Sequence, residues 1–341
     1  MVARESRPQS AEAVKEGIYA PVRRELDLVV LNLAEVSAGR EGQPHAPEIE
    51  ARLAHVLASP GKRVRPAITL LASRLWGRPA DERAINMATA VELLHIASLI
   101  HDDTVDSAET RRGRATASNL WGGAVAVQLG DYVFASSAIF VCETNSIRLI
   151  KRFAETIAEL SRGELHESLT AWQPAVGRDG YYQRIYDKTA SLFATAAESG
   201  AVLGDADEDH VQLLREYGRS LGMAYQVYDD LLDFESTSGE LGKPVEHDLP
   251  SGILTLPAII ALEGGTARHA VLDYLEAPAR ERARLLPDTV AAIRLSGALA
   301  EAKAIAAGFT SQATAALRPL PASLELDSLN TLTEYLLLRR S

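Results

Sequence analysis

Glu92-Leu93-Leu94-His95-Ile96-Ala97-Ser98-Leu99-Ile100-His101-Asp102-Asp103-Thr104-Val105-Asp106 is the stretch on which the reading of this chain turns. Its apolar residues show no strand-like alternation, and it closes on aspartates spaced D-D-x-x-D. Tyr228-Asp229-Asp230-Leu231-Leu232-Asp233 repeats that spacing far along the chain. On a helix turning about 100° per residue, the first and last aspartates of each group share one face. Gln226 and Gly222 fall on the second group's face, and His95 falls on the first. Like charges four residues apart repel, so a helix gains nothing from them bare. Divalent cations reverse that sign, because hard carboxylate oxygens suit magnesium, which completes its shell with water and phosphate oxygens. One such cluster reads equally well as a solvated acidic patch. With 18 aspartates in 341 residues, chance supplies one such pattern in about one chain in twenty. Two, the first set among Leu93, Leu94, Ile96, Leu99 and Ile100, favour a pair of metal clamps facing one cleft.

Helical periodicity extends outward from these groups. Val22, Leu26, Val29, Val30 and Leu33 mark one buried stripe between Glu12 and Val36. Further helices are expected at 48–57, 66–76, 81–106, 120–144, 147–172, 180–201 and 207–237, with loops at 107–119, 173–179 and 239–252. The chain from 255 onward is rich in alanine and leucine. No Gly/Ser/Pro-rich linker divides it, so residues 1–341 read as one all-α domain, with 1–11 an unstructured N-terminal segment. The chain is 47% hydrophobic, enough for a large core. A net charge of −11 and the lack of a basic block argue against a nucleic-acid surface. The single cysteine, Cys142, excludes a disulfide framework and fits a reducing cytoplasm. The opening stretch lacks the apolar core of a signal peptide. Leu120–Cys142 comes nearest to a membrane span, but Gln128 and Asp131 interrupt it.

Cations are placed to meet a phosphate. Lys62, Arg63 and Arg65 follow Gly61, and Arg111-Arg112-Gly113-Arg114 comes just after Asp106. Lys188 and Lys243 lie further on. Arginine grips phosphate through a planar fork, and lysine acts as a point charge. Arg63 and Arg114 taken singly read as ordinary surface cations.

Taken together these residues resemble the trans-isoprenyl diphosphate synthase (polyprenyl synthetase) family. Gly61-Lys62-Arg63-Val64-Arg65-Pro66 is similar to its G-K-R-x-R-P, and Glu92 through Asp106, followed by Arg111-Arg112-Gly113, is similar to its first aspartate-rich helix. Asp187-Lys188-Thr189-Ala190, Gln226 through Asp233, Gly242-Lys243-Pro244 and Thr255-Leu256-Pro257 complete the pattern. The resemblance implies an isoprenoid synthase-type helical bundle with a central apolar cavity, usually a homodimer. It implies that Lys62, Arg65, His95 and Arg112 hold isopentenyl diphosphate, which carries no metal. Asp102, Asp106 and Asp229 would ligate magnesium, about three ions held jointly with an allylic diphosphate. Asp103, Asp230 and Asp233 would support them, directly or through water. Arg111, Lys188, Thr189, Gln226 and Lys243 would complete the allylic diphosphate's shell. By itself His95 reads as a core histidine, and Thr189 and Gln226 as partners in a hydrogen bond between helices. The implied reaction is metal-assisted ionisation of the allylic diphosphate, head-to-tail attack by the isopentenyl double bond, and loss of a proton to the departing diphosphate.

A product tail would run down the first aspartate helix from the metals. Residues four and five before Asp102 are Ser98 and Ala97. In short-chain relatives the resemblance puts a bulky aromatic there. With small residues the tunnel stays open past about fifteen to twenty carbons, which predicts a product of roughly C25 or longer. Phe153 could set a deeper floor, and close helix packing is the plainer reading of Ala97 and Ser98. A short-chain farnesyl or geranylgeranyl diphosphate synthase is the nearer alternative. A class I terpene cyclase would not need Lys62, Arg65 and Arg112 and would carry an N-S-E or D-T-E second motif. A non-catalytic subunit need not keep both acidic groups, which are intact here.

The pattern departs from the family in one loop. Glu246 stands where a glycine is usual in G-K-P-x-G-x-D-L, and Ile253 where a lysine is usual in G-K-x-T-L-P. One cation near the allylic diphosphate is thereby lost, which predicts weaker allylic binding. Restoring it with Ile253→Lys should lower the allylic KM; an unchanged KM would contradict this account.

Overall fold

The computed structural model describes residues 16–40, 43–58, 61–235, 248–265 and 267–338. The expected N-terminal segment 1–11, and Lys243 and Glu246 with their loop, lie outside the described residues. After a 3-10 turn at Ala20–Val22 come α1 (Arg23–Ala38), α2 (Pro47–Leu57), α3 (Val64–Arg74), α4 (Glu82–Val105) and α5 (Ala117–Trp121). Next are α6 (Gly123–Glu143), α7 (Ile147–Thr170), α8 (Arg178–Ile185), α9 (Ser191–Leu203) and α10 (Glu208–Glu235). The last are α11 (Leu256–Glu263), α12 (Ala267–Glu276), α13 (Ala279–Leu295), α14 (Ala298–Leu317) and α15 (Leu324–Leu338). Among the described residues the only extended pairings are two-residue ladders, so the all-α expectation holds. The predicted long helices fall within a turn of those observed, except that 180–201 divides around a π-helical turn at Tyr186–Ala190.

α4 is the axis of the molecule. Asp81 caps it by accepting a hydrogen bond from the Ala84 amide at 3.0 Å. Met87, Val91 and Leu94 join the main core with α3 and α9, while Leu93, Ile96, Ala97 and Ile100 join a second cluster with Leu129 and Val133 of α6. A helix apolar on nearly every side must be packed on nearly every side, and α4 leaves mainly His95, Ser98, Asp102 and their neighbours to a cleft.

α4 and α6 are each long and apolar enough by composition to cross a membrane, which revises the reading that no such run exists. α4 buries 72% of its apolar window within the protein and α6 only 39%. α6 therefore leaves Val127, Tyr132 and Ile139 exposed, on a side that also carries Gln128 and Asp131.

Two close approaches bring the π turn against its neighbours. A Cβ on Gly163 of α7 would lie 2.8 Å from the Lys188 backbone nitrogen, and one on Gly222 of α10 would lie 2.5 Å from Ala190 Cα. Gly222, which shares a face with the second aspartates, is thus the point where α10 touches this turn. π-helical turns inside helices carry side chains off the regular register and concentrate at functional sites; here the turn carries Lys188 and Thr189. Gly163→Ala should destabilise the fold by about 1–3 kcal/mol through overpacking, read by urea unfolding. A midpoint equal to wild type would show that the turn yields freely.

Candidate active site

One cleft of about 910 Å³ is bounded by the loop before α3, by α4, by the hairpin after it, by the π turn and by α10. Lys62, Arg65, His95, Ser98, Asp102, Asp103, Asp106, Arg111, Arg112, Lys188, Thr189, Gln226 and Asp229 all line it. Asp230, Asp233, Ala97 and Phe153 do not. Asp102 and Asp229, from two separate helices, open on the same space.

The first end is acidic. Asp102 lies on α4, Asp106 caps its C-terminus at the rim, and Asp229 sits on α10. Burial, reinforced by the neighbouring Glu164 carboxylate, pushes the Asp102 carboxyl up to about 8. Lys188 Nζ donates to Glu167 Oε1 at 2.5 Å and lies 3.0 Å from Glu164 Oε1. Burial works against its charge, but these two carboxylates more than reverse that and hold Lys188 protonated. Its turn is pinned from below by Arg162, whose Nε donates to Asp187 at 2.8 Å.

Asp103 and Asp230 serve differently from their partners. Both are buried. Asp103 accepts from Arg111 Nε at 2.6 Å, which fixes the orientation of a guanidinium that lines the cleft. Asp230 accepts from Tyr181 Oη at 2.6 Å and from Gln226 Nε2 at 2.8 Å, and Gln226 in turn accepts from Thr189 Oγ1 at 2.7 Å. Burial raises the Asp230 carboxyl to about 7. The helix-to-helix hydrogen bond is therefore the structural role of Thr189 and Gln226, and it ties the π turn to α10. Asp233 accepts the Asp248 backbone N–H at 3.3 Å. These bonds give Asp103, Asp230 and Asp233 a place in the wall of the site, in keeping with a supporting role beside the cations.

The other end is basic. Tyr19 Oη donates to the Lys62 carbonyl at 2.8 Å and fastens the loop in which Arg63 takes a left-handed φ of 49°. Thr110–Arg111 pairs with Arg114–Ala115, and Arg112 and Gly113 turn the corner at φ 52° and 75°. Positive φ at both central residues matches the twist of a two-residue hairpin, and it aims the arginines at the cleft. Arg65 lies over the Phe193 ring at 4.4 Å, a cation–π contact, and Phe193 tilts against Tyr225 at 5.5 Å. Arg63 and Arg114 also reach this wall, so neither is a mere surface cation. His95 is held well below its ordinary pKa, first by burial and then by Arg65 and Arg112, so it is neutral.

Ser98 lines the cleft, whereas Ala97 is fully buried in the cluster facing α6 and Phe153 is buried in the main core. This corrects the expectation that Ala97 and Ser98 both face a tunnel. Residues 97 and 98 project in directions about 100° apart on a helix. Motif reading also missed Glu92, Glu164, Glu167 and Asp248. Gly163-Glu164-Leu165-His166-Glu167 was the available signal: two carboxylates beside a glycine on an otherwise amphipathic helix.

The donors at the acidic end are oxygens only. Among the described residues, no three histidine, cysteine or carboxylate side chains converge to hold an ion by themselves. An open, hard set of this kind fits a divalent cation that draws its remaining ligands from water and phosphate, and the raised Asp102 carboxyl marks negative charge awaiting neutralisation.

Comparisons agree with this geometry. The Polyprenyl synthetase family profile matches residues 46–291. A prenyl transferase of Synechocystis sp. is 35% identical over 322 residues, covering 94% of this chain and 97% of the relative. The crystal structure of a decaprenyl diphosphate synthase from Rhodobacter capsulatus superposes with a TM-score of 0.87 at 34% identity, covering 96% of this chain and 99% of that one. A Caulobacter crescentus polyprenyl synthase complexed with calcium and isoprenyl diphosphate gives 0.85 at 31% identity, covering 98% and 100%.

Burial raises Asp102 to about 8 and Asp230 to about 7, above their values in an unfolded chain. The folded protein then binds more protons than the unfolded one across roughly pH 6.5–8.5, so metal-free stability must fall as pH rises there. Below that window neutral His95 acts in the opposite sense, because the unfolded chain takes up its proton. In a chelator the Tm should decline from pH 6.5 to 8.5, and magnesium with pyrophosphate should flatten the decline. A chelated Tm that held level would refute the buried-carboxyl account.

Proposed function

The chain belongs to the polyprenyl synthetase family, and from that premise we propose how its cleft performs the family's reaction. It is a polyprenyl diphosphate synthase, a trans-prenyltransferase acting on isoprenyl diphosphates with a divalent metal. One observation carries the assignment of residues: Asp102 of α4 and Asp229 of α10 face one cleft whose far end gathers Lys62, Arg65 and Arg112.

Asp102, Asp106 and Asp229 hold the cations, which we take to be magnesium, three to a site, as the family resemblance implies. When bound, the metal neutralises the charge that grows on the departing diphosphate. Lys188, kept protonated by Glu164 and Glu167, adds a fixed positive charge at the same place. Asp103 and Asp230 hold Arg111, Gln226 and Tyr181 in position, and Asp233 anchors Asp248. Lys62, Arg65, Arg112 and neutral His95 bind the isopentenyl diphosphate. Phe193 and Tyr225 form an apolar wall beside it. No nucleophile of the protein is required, because the isopentenyl double bond attacks the allylic carbon and the departing diphosphate accepts the proton.

We further propose a long-chain product. Ser98, small and on the cleft wall, supports it, as does the likeness to a decaprenyl diphosphate synthase. The exposed apolar residues of α6, Val127, Tyr132 and Ile139, support a homodimer. The single exposed cysteine, Cys142, supports a reducing, cytoplasmic setting.

Isopentenyl diphosphate and farnesyl diphosphate, incubated with and without magnesium and sized by mass spectrometry, test the reading. Products longer than the farnesyl primer should form only with the metal and extend to roughly C25 or beyond, and Ser98→Tyr should shorten them by filling the wall. Metal-independent turnover would overturn the activity, and an unaltered product ladder in Ser98→Tyr would overturn the path of the tail.

A further inference from the structure

Glu92 lies on α4 one turn before His95, only 6% exposed, and lines the basic end of the cleft. A carboxylate there opposes the anion this end is taken to bind, and the reaction as described makes no use of it. Its surroundings explain its presence. Its Oε1 is 3.9 Å from Arg63 Nη1. A methyl group on Gly61 would sit 3.2 Å from Arg112 Nη1 and 3.8 Å from Glu92 Oε1, so both side chains close over Gly61. Arg65 is half-buried, its Nε is buried without a hydrogen-bond partner, and its guanidinium rests on Phe193. Its charge interacts with those of Glu92 and Arg112. Guanidinium groups gathered beside one another at a partly desolvated cleft repel, and the buried Glu92 carboxylate is the negative charge placed among them. Without a carboxylate among them, the empty site would favour conformations that turn the arginines out to solvent.

We propose that Glu92 is a positioning residue, an internal counter-ion that holds Arg65 and Arg112 turned into the cleft before the metal-free diphosphate arrives. The diphosphate then meets a formed cradle and binds without reordering these side chains. The proposal rests on assigning the basic end to isopentenyl diphosphate. Tyr19, through its bond to the Lys62 carbonyl, fixes the backbone of the same cradle from the other side.

Steady-state kinetics with both substrates, together with calorimetric binding of inorganic pyrophosphate in EDTA, test it. Glu92→Gln keeps the shape and removes the charge. It should raise the isopentenyl diphosphate KM about tenfold or more and weaken metal-free pyrophosphate binding equally. The allylic KM should stay within about twofold, because Glu92 lies at the basic end. Glu92→Asp, which keeps the charge but retracts it, should recover most of the loss and carries the test if Glu92→Gln does not fold. An isopentenyl KM within twofold of wild type, or equal rises in both KM values with a lowered Tm, would overturn the positioning role. If Lys62→Ala and Arg112→Ala both leave the isopentenyl KM unchanged, the assignment of this end fails first, and the proposal falls with it.

Discussion

Gathering charges of one sign in a cleft is expensive unless something of the other sign arrives, and this fold does it at both ends of one cleft. Asp102, Asp106 and Asp229 stand at one end, and Lys62, Arg65 and Arg112 at the other. Charged neighbours of these sets are paired off within the protein. Arg111 occupies Asp103, Tyr181 and Gln226 occupy Asp230, and Glu164 and Glu167 occupy Lys188. Such a site needs a stiff frame, since a loose one would relieve its electrostatic strain by turning the charges outward. α4 supplies stiffness by packing on nearly all its sides, and Gly163 and Gly222 let the π turn lie directly on α7 and α10.

The acidic groups were legible in the sequence because their chemistry is local. A D-D-x-x-D run on an apolar helix names both the face and the ligand class from spacing alone. Spacing does not reveal which lone pairs a neighbour has already taken. That is why Asp102 and Asp103, adjacent in the chain, divide into a cavity carboxylate and a support for Arg111. The π turn was hidden for a related reason. One extra residue in a turn leaves the apolar pattern of 180–201 nearly intact, so periodicity alone reads a single helix. Glu92, Glu164 and Glu167 stand out less because carboxylates on helices ordinarily face water; only the packing of α4 and α7 makes these three face half-buried cations. Ala97 erred by about 100° of rotation, enough to move a side chain from a tunnel wall to a helix seam.

The two ends also sort their ligands. Lys188 with Glu164 and Glu167 carries a net negative charge, and Asp106 and Asp229 add to it, so a bare diphosphate is repelled there. It can enter only with cations. The basic end has Lys62, Arg63, Arg65 and Arg112 against the single carboxylate of Glu92 and takes a diphosphate without them. Metal content alone therefore distinguishes two substrates whose headgroups are chemically the same.

Elongation follows from this arrangement with a definite geometric demand. In the proposed assignment the lengthened chain carries, after each condensation, the diphosphate that entered at the basic end. To react again, that headgroup must acquire cations and move to the acidic end. His95 and Asp102 mark the two positions on α4, seven residues or about 10 Å of helix apart. The tail has to follow without leaving its apolar surroundings, so headgroup and tail shift together. A single rigid helix bearing both subsites on one face keeps that distance constant from cycle to cycle, whatever length the tail has reached.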